Sequence, residues 1–310
     1  MYSESEVTDM FTTIVVGVDG LPGGRDALAL AQCLADLASG DLVAVHVHPY
    51  EPFPFRGLRT DVEALAHEEA QALLERQLAE AGVQARAIAT AETSPGRGLH
   101  RIADGLEADL IIIGSPHRGP LGRVVAGDTA RAVIQGATRP VLVARQGAAT
   151  PFAGQTIGVG YDGSPESRAA LAWAGRFALA VGATVHVVCA AERPQGFSPS
   201  ISYGINWVAL APERREYAET LVAEAVAELG NGATGEAVVG VAREELVRVS
   251  EHVDLLVLGS RGYGPVRRAL LGGSADRIVH AAACPVIVVP RGDHEDHAAE
   301  HPAAIEVTAG

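Results

Sequence analysis

The chain has 310 residues, of which 48% are hydrophobic and 5% aromatic, and a formal net charge of -14. This length suits two ordinary domains, and the acidic balance, with no run of five basic residues, argues against a nucleic-acid partner, which needs a basic face to neutralise phosphates. Three scattered cysteines without a CxxC (Cys33, Cys189, Cys284) argue against disulfides and zinc and point to a reducing cytoplasm, while strand-sized apolar runs and a polar, acidic Met1 to Met10 leave no membrane span or signal peptide to expect.

In chain order, a β-branched run from Thr12 to Val18 reads as a strand ending at Asp19-Gly20, and Pro22 then fits the first turn of a helix running through Ala38. Leu42 to Val47 reads as a second strand. Asp61 to Ala81 has helical spacing and stops at Gly82, and Val83 to Ala89 is the predicted third strand. Ser94-Pro95 caps a short helix to Gly105. Leu110 to Ile113 is a fully apolar strand, a helix runs from Asp128 to Gln135, and Pro140 opens a last strand.

The chain then repeats itself. Thr13 to Gly20 (TIVVGVDG) matches Thr156 to Gly163 (TIGVGYDG) 143 positions on; Asp109 to Ser115 (DLIIIGS) matches Asp254 to Ser260 (DLLVLGS) at 145; Pro140 to Val143 matches Pro285 to Val288, again at 145. Copy two starts its first helix at Ser164-Pro165 and carries later helices over Pro212 to Leu229, Ala242 to Glu251 and Ser274 to Ala282. Residues 1–149 and 150–310 are thus predicted to be two domains, with a linker around Gln146 to Gly154 and a solvated tail from about Gly292, whose His294, His297 and His301 lack a scaffold for a metal. Continuous apolar strands alternating with helices predict two tandem Rossmann-like, doubly wound α/β domains, each a five-stranded parallel sheet flanked by helices. Such sheets bind ligands beyond the carboxyl ends of their strands.

The chemistry is sought in the glycine turn after strand four. Copy two reads Gly259-Ser260-Arg261-Gly262, nine residues, then Gly272-Gly273-Ser274 at a helix start. Glycines let a backbone approach an anion closely, and a helix N-terminus attracts phosphate. Arg261, Arg267 and Arg268 add positive charge, and Ser274 is suited to cap the helix or donate to phosphate. The same glycines also suit tight turns alone.

The Gly-x2-Gly-x9-Gly spacing between an apolar strand and a helix, with Asp162-Gly163-Ser164 after strand one and Cys284-Pro285-Val286-Ile287-Val288-Val289 at the close, resembles the nucleotide loop of the universal stress proteins. The resemblance covers Phe11 to Arg145 and Gln155 to Arg291, which identifies the chain as a tandem member. It implies ATP, with or without Mg2+. Asp162 would sit by the adenine, Ala190 would lend backbone contacts to the base, and Gly259 to Gly262, with Ser260 and Arg261 between, would line ribose and phosphates. Gly272, Gly273 and Ser274 would hold the terminal phosphates. Gly273 stands where the family has a hydroxyl, a loss of about 0.5–1.5 kcal/mol if one neutral hydrogen bond goes. In copy one the corresponding residues are Asp19, Val47, Gly114, Gly127 and Thr129. There His117 replaces the second glycine, Asp128 stands at the hydroxyl position, Gly119 comes two residues late and Leu21 replaces the serine at 164. A carboxylate beside a triphosphate is unfavourable, so copy one is expected to bind more weakly, with His117 or Arg118 as compensating charge.

There is no GxxxxGK[ST] and no GxSxG around Ser115. His46, His48 and His186 read as packing or solvent-facing residues, and Cys189 and Cys284 as buried thiols. No positioned base is visible, so the chain is expected not to be an enzyme beyond very slow ATP hydrolysis. The leading expectation is an ATP-binding stress sensor or regulator that acts on a regulatory protein. The alternative is a nucleotide-independent tandem scaffold working through protein–protein contacts. The short apolar last strands (Val141 to Val143, Val286 to Val289) are expected to join the copies as an intramolecular pseudo-dimer, as in the family's single-domain members, and the whole chain could form a homodimer. Pro49 to Thr60 and Pro194 to Pro212 overhang strand two and suit lids or partner surfaces.

Overall fold

The computed structural model describes residues 10–49, 59–115, 117–118, 124–125, 128–145, 156–191, 211–230, 232–260 and 273–290. The predicted tail, the linker and most of the two segments overhanging strand two lie outside them. Copy one runs β1 (Thr13–Gly17), α1 (Pro22–Ala38), β2 (Asp41–Pro49), α2 (Arg59–Ala81), β3 (Arg86–Glu92), α3 (Pro95–Gly105), β4 (Leu110–Gly114), a ribbon of β5 (His117–Arg118) and β6 (Val124–Val125), α4 (Asp128–Ile134) and β7 (Val141–Ala144). Copy two runs β8 (Thr156–Gly160), α5 (Pro165–Val181), β9 (Thr184–Ala190), α6 (Ala211–Leu229), β10 (Thr234–Val238), α7 (Ala242–Val249), β11 (Leu255–Gly259), α8 (Gly273–Ala281) and β12 (Val286–Val289).

Each copy contributes five parallel strands, and the two sheets are one: the order is β10-β9-β8-β11-β12-β7-β4-β1-β2-β3. The junction is antiparallel, with Val141 opposite Val288, Leu142 opposite Ile287 and Val143 opposite Val286. Pairing the two edges satisfies backbone groups that water or another chain would otherwise have to take.

Alternate residues on every strand face opposite ways, and the core divides accordingly. Ile14, Val16, Leu142, Ile287 and Val257 belong to one apolar layer, covered by α1, α2, α5 and α6. Val15, Ile111, Val141, Val288 and Leu256 belong to the other, covered by α3, α4, α7 and α8. Both layers run unbroken through the two copies. Phe11, just ahead of β1, packs its ring 5.8 Å from Phe177 and 6.1 Å from Trp173 on α5, so even the start of copy one is anchored in copy two. β6 also lies against α8 of copy two.

Local chemistry explains most boundaries. Ser94 and Ser164 accept from the backbone N–H of Arg97 and Ser167 at 3.4 and 3.2 Å and so cap α3 and α5. Leu21 precedes α1 without a side-chain cap. Asp109 accepts from the N–H of Thr12 and Thr13, and Asp254 from that of Thr156; these repeated aspartates fasten the start of strand four to the start of strand one. Strand three differs from its expected range of Val83 to Ala89, since it begins at Arg86. Val83 instead donates to the Leu78 carbonyl after Gly82 takes φ +65, so its apolar side chain closes the end of α2.

Candidate functional site

The carboxyl ends of β8, β9 and β11 open onto a cleft of about 660 Å³, within the roughly 300–1,000 Å³ usual for small-molecule and cofactor sites. Asp162 and Ser164 line it from the turn after β8, Cys189 and Ala190 from the end of β9, Arg214 and Tyr217 from α6, Gly259 from the end of β11, and Ala275 and Ile278 from α8. The structure thus brings Asp162, Ala190 and Gly259 together, from positions nearly a hundred residues apart.

The turn carrying Asp162 is built by its neighbours. Gly163 holds φ +77, a conformation side chains resist, and lets the chain swing from strand to helix. Asp162 Oδ1 accepts from the Ser164 N–H at 3.0 Å, and the Asp162 N–H donates to Ser167 Oγ at 3.3 Å. The Ser164 hydroxyl donates to the same Oδ1 at 2.5 Å, so the turn fixes the orientation of the Asp162 carboxylate. Asp162 itself is exposed, whereas Ser167 is buried.

Gly259 has a packing reason besides any ligand. A Cβ there would fall 2.4 Å from the Glu166 carbonyl oxygen in the first turn of α5, and one at Gly114 would fall 2.1 Å from the Gly23 carbonyl in α1. The close approach that demands glycine at these two positions is that of a helix. Ser260 does not belong on the cleft wall: it is fully buried, its N–H donates to Val289 at 2.8 Å, and it serves to bind β11 to β12. Gly273 opens α8, with Ser274 next in the helix, and Ala275 and Ile278 of that helix line the cleft. Arg261, Gly262 and Gly272 lie outside the described residues.

In copy one, register places His46, Val47 and His48 where copy two has Cys189, Ala190 and Ala191, since Gly17 pairs with Val45 as Gly160 pairs with Val188. All three are bulkier. His46 Nδ1 donates to the Val18 carbonyl at 2.6 Å. Val47 lies over Gly98, where a Cβ would sit 2.7 Å from its methyl carbons. His48, in edge contact with His67 at 5.8 Å between ring centres, is buried, and burial, aided by His67 and His46, holds its ionisation below the ordinary imidazole range. Asp19 accepts from the Leu21 N–H at 3.0 Å and Thr129 is exposed on α4; Gly127 lies outside the described residues.

Glu166, Ser167, Arg214 and Tyr217 escaped the sequence reading. Ser167 had a signal, since Ser164-x-x-Ser167 places two hydroxyls in one helical turn. Arg214 and Tyr217 had none, because only the fold shows that α6 begins over the end of β9. The thiols behave as read: burial and the Asp162 charge push Cys189 up to about 11, and burial pushes Cys284 up to about 12. Both stay protonated and unreactive near neutrality. Among the described residues no group of three or more histidine, cysteine or carboxylate side chains could hold a metal ion, and no helix is long and apolar enough to cross a membrane.

Both copies match the model of the universal stress protein family, over residues 10–145 and 154–290. The chain belongs to that family. A universal stress protein of Mycobacterium tuberculosis is 28% identical over 296 residues, spanning 90% of this chain and 99% of its own length. One from Thermus aquaticus is 36% identical over 139 residues, 44% of this chain and 100% of its own. The crystal structure of a universal stress protein from Archaeoglobus fulgidus shares the fold with a TM-score of 0.64 at 16% identity, covering 91% of this chain and 99% of that one. The universal stress protein unit is therefore present twice, and the cleft described above belongs to its second occurrence.

Proposed function

We propose that the cleft of copy two holds an adenine nucleotide, ATP with or without Mg2+, and that the chain acts as a nucleotide-dependent sensor or regulator in a stress response, through a regulatory protein partner and in the cytoplasm. The observation that carries this reading is the convergence of Asp162, Ala190 and Gly259 on one cleft at the carboxyl ends of parallel strands, beside the start of α8. The Asp162 carboxylate suits an exocyclic amine, the end of β9 offers backbone groups to a base, and the N-terminus of α8 favours phosphate. The chain contains no lysine, so a permanently charged side chain for phosphate is an arginine, such as Arg214 on the wall or Arg261 two residues beyond Gly259 in the sequence. Mg2+ would arrive bound to phosphates, as it usually does. No base or water-positioning residue is assigned, so hydrolysis is at most very slow.

The test is to denature the freshly purified protein, quantify released nucleotide by anion exchange, and titrate the stripped protein with ATP and magnesium. One ATP per chain supports copy two alone, and two bring in copy one. No nucleotide and no binding at millimolar ATP would leave the second reading, a nucleotide-independent scaffold, which the bulkier strand-two end of copy one favours. Gly262→Val is expected to abolish ATP binding, as judged by calorimetry, while the circular dichroism melt stays unchanged.

A further inference from the structure

Two residues at the same place in the repeat face each other across the junction. Arg131 of α4 and Asp276 of α8, 145 positions apart, form a two-pronged ion pair: Arg131 Nε donates to Asp276 Oδ1 at 3.1 Å and Nη2 donates to Oδ2. Leu142 and Ile287 have the same separation and are partners in the β7–β12 ladder. Both pairs therefore straddle the pseudo-two-fold that relates the copies. Asp276 is the more enclosed partner, and His280 of its own helix approaches it, Nδ1 to Oδ1, at 3.6 Å.

In a symmetric dimer of identical units, a residue on the two-fold meets itself. Two units of the first kind would set arginine against arginine there, and two of the second kind aspartate against aspartate. Only a first unit with a second brings opposite charges into contact. The strands do not make this distinction. Val141-Leu142-Val143 and Val286-Ile287-Val288 are apolar throughout and nearly identical, and apolar burial is non-directional. Discrimination between such edges needs a repulsive element against the wrong pairing.

We propose that Arg131 and Asp276 make the junction partner-selective: the face of copy one accepts a copy-two face and rejects its own kind. The chain closes on itself because the linker gives the correct partner a high effective concentration. Any pairing between chains through this face joins a copy one to a copy two.

The test uses full-length chains. An Arg131→Asp chain carries aspartate on both faces and an Asp276→Arg chain carries arginine on both, so each repels within itself and each complements the other. Co-expressed with different affinity tags, the two are expected to co-purify about tenfold more than two tagged copies of either variant, or of the original chain. Within one chain, each single reversal is expected to speed amide exchange at Val141–Ala144 and Val286–Val289 about tenfold, and the double variant R131D/D276R to restore the original rate. The proposal is overturned if the mixed pair co-purifies no better than like pairs, or if the double reversal exchanges as fast as the single ones. Should a reversal prevent folding, Arg131→Gln and Asp276→Asn take its place, with a smaller expected rise in exchange; no rise in either overturns the proposal.

Discussion

The two copies share strand order and register, and differ at the mouth where a ligand would enter. The end of β9 presents Cys189, Ala190 and Ala191 beside an open cleft, while the end of β2 presents His46, Val47 and His48, hydrogen-bonded, wedged over Gly98 and buried respectively. Likewise Ser164 caps α5 beside Asp162, while Leu21 leaves α1 uncapped. A duplicated fold needs both cores and their junction to hold it together, but one good site suffices for binding. Gly114 and Gly259 at the strand-four ends and Asp19 and Asp162 after strand one stand in both copies, whereas the side chains at the ends of β2 and β9 do not match.

The largest effect is expected where the two copies join. Val288→Lys would place a charge in the buried layer opposite Val141 and is expected to cost on the order of 4 kcal/mol. A lowered melting temperature and a larger radius in solution scattering would register it; an unchanged melt and radius would refute the role given to this junction.

The next effect tests what the copies share. Gly114→Ala and Gly259→Ala should each destabilise by about 1–3 kcal/mol, because the added methyl meets a helix carbonyl in both. Gly105→Ala, at the end of α3 with open space around it, should be neutral or slightly stabilising. Denaturant titration separates these outcomes, and equal costs at all three sites would remove the packing argument.

A smaller effect tests what they do not share. Asp162→Ala should weaken ATP binding by about tenfold, near 1.4 kcal/mol, whereas Asp19→Ala should leave the high-affinity site untouched. Equal losses in calorimetry would mean the copies are functionally alike.

The smallest expected effect is acid sensitivity confined to copy one. His48 ionises less readily folded than unfolded, so its contribution to stability is present above its ordinary pKa of 6.5 and is lost as pH falls below that. His48→Leu should therefore flatten the loss of thermal stability on acidification, while the near-neutral melt changes little. A pH profile parallel to that of the original chain would count against it.

Much of the fold was legible in the residues because its determinants are local. Proline at the first helical position, serine caps at 94 and 164, and glycine after α2 each act within a turn, and apolar periodicity needs only one element at a time. Strand three was misplaced for the same reason: Val83 looks like a strand residue until its bond to Leu78 is seen. The site was half legible. Asp162 and Gly259 sit in recognisable turns, but Ser260 resembled a loop residue although it is buried, and Arg214 and Tyr217 reach the cleft only because α6 starts above β9.

What the sequence determined by itself is therefore the repeated unit: its α/β alternation, its caps and its strand-end glycines, all fixed by the short-range sterics and hydrogen bonding of adjacent residues. Tertiary structure alone decided the antiparallel register in which the last strands merge the two sheets, that both apolar layers cross the junction, and that Arg131 meets Asp276. It also decided that a cleft lies over copy two. Those features depend on which distant surfaces exclude water together and on which charges then come within reach of each other, and no local pattern encodes either.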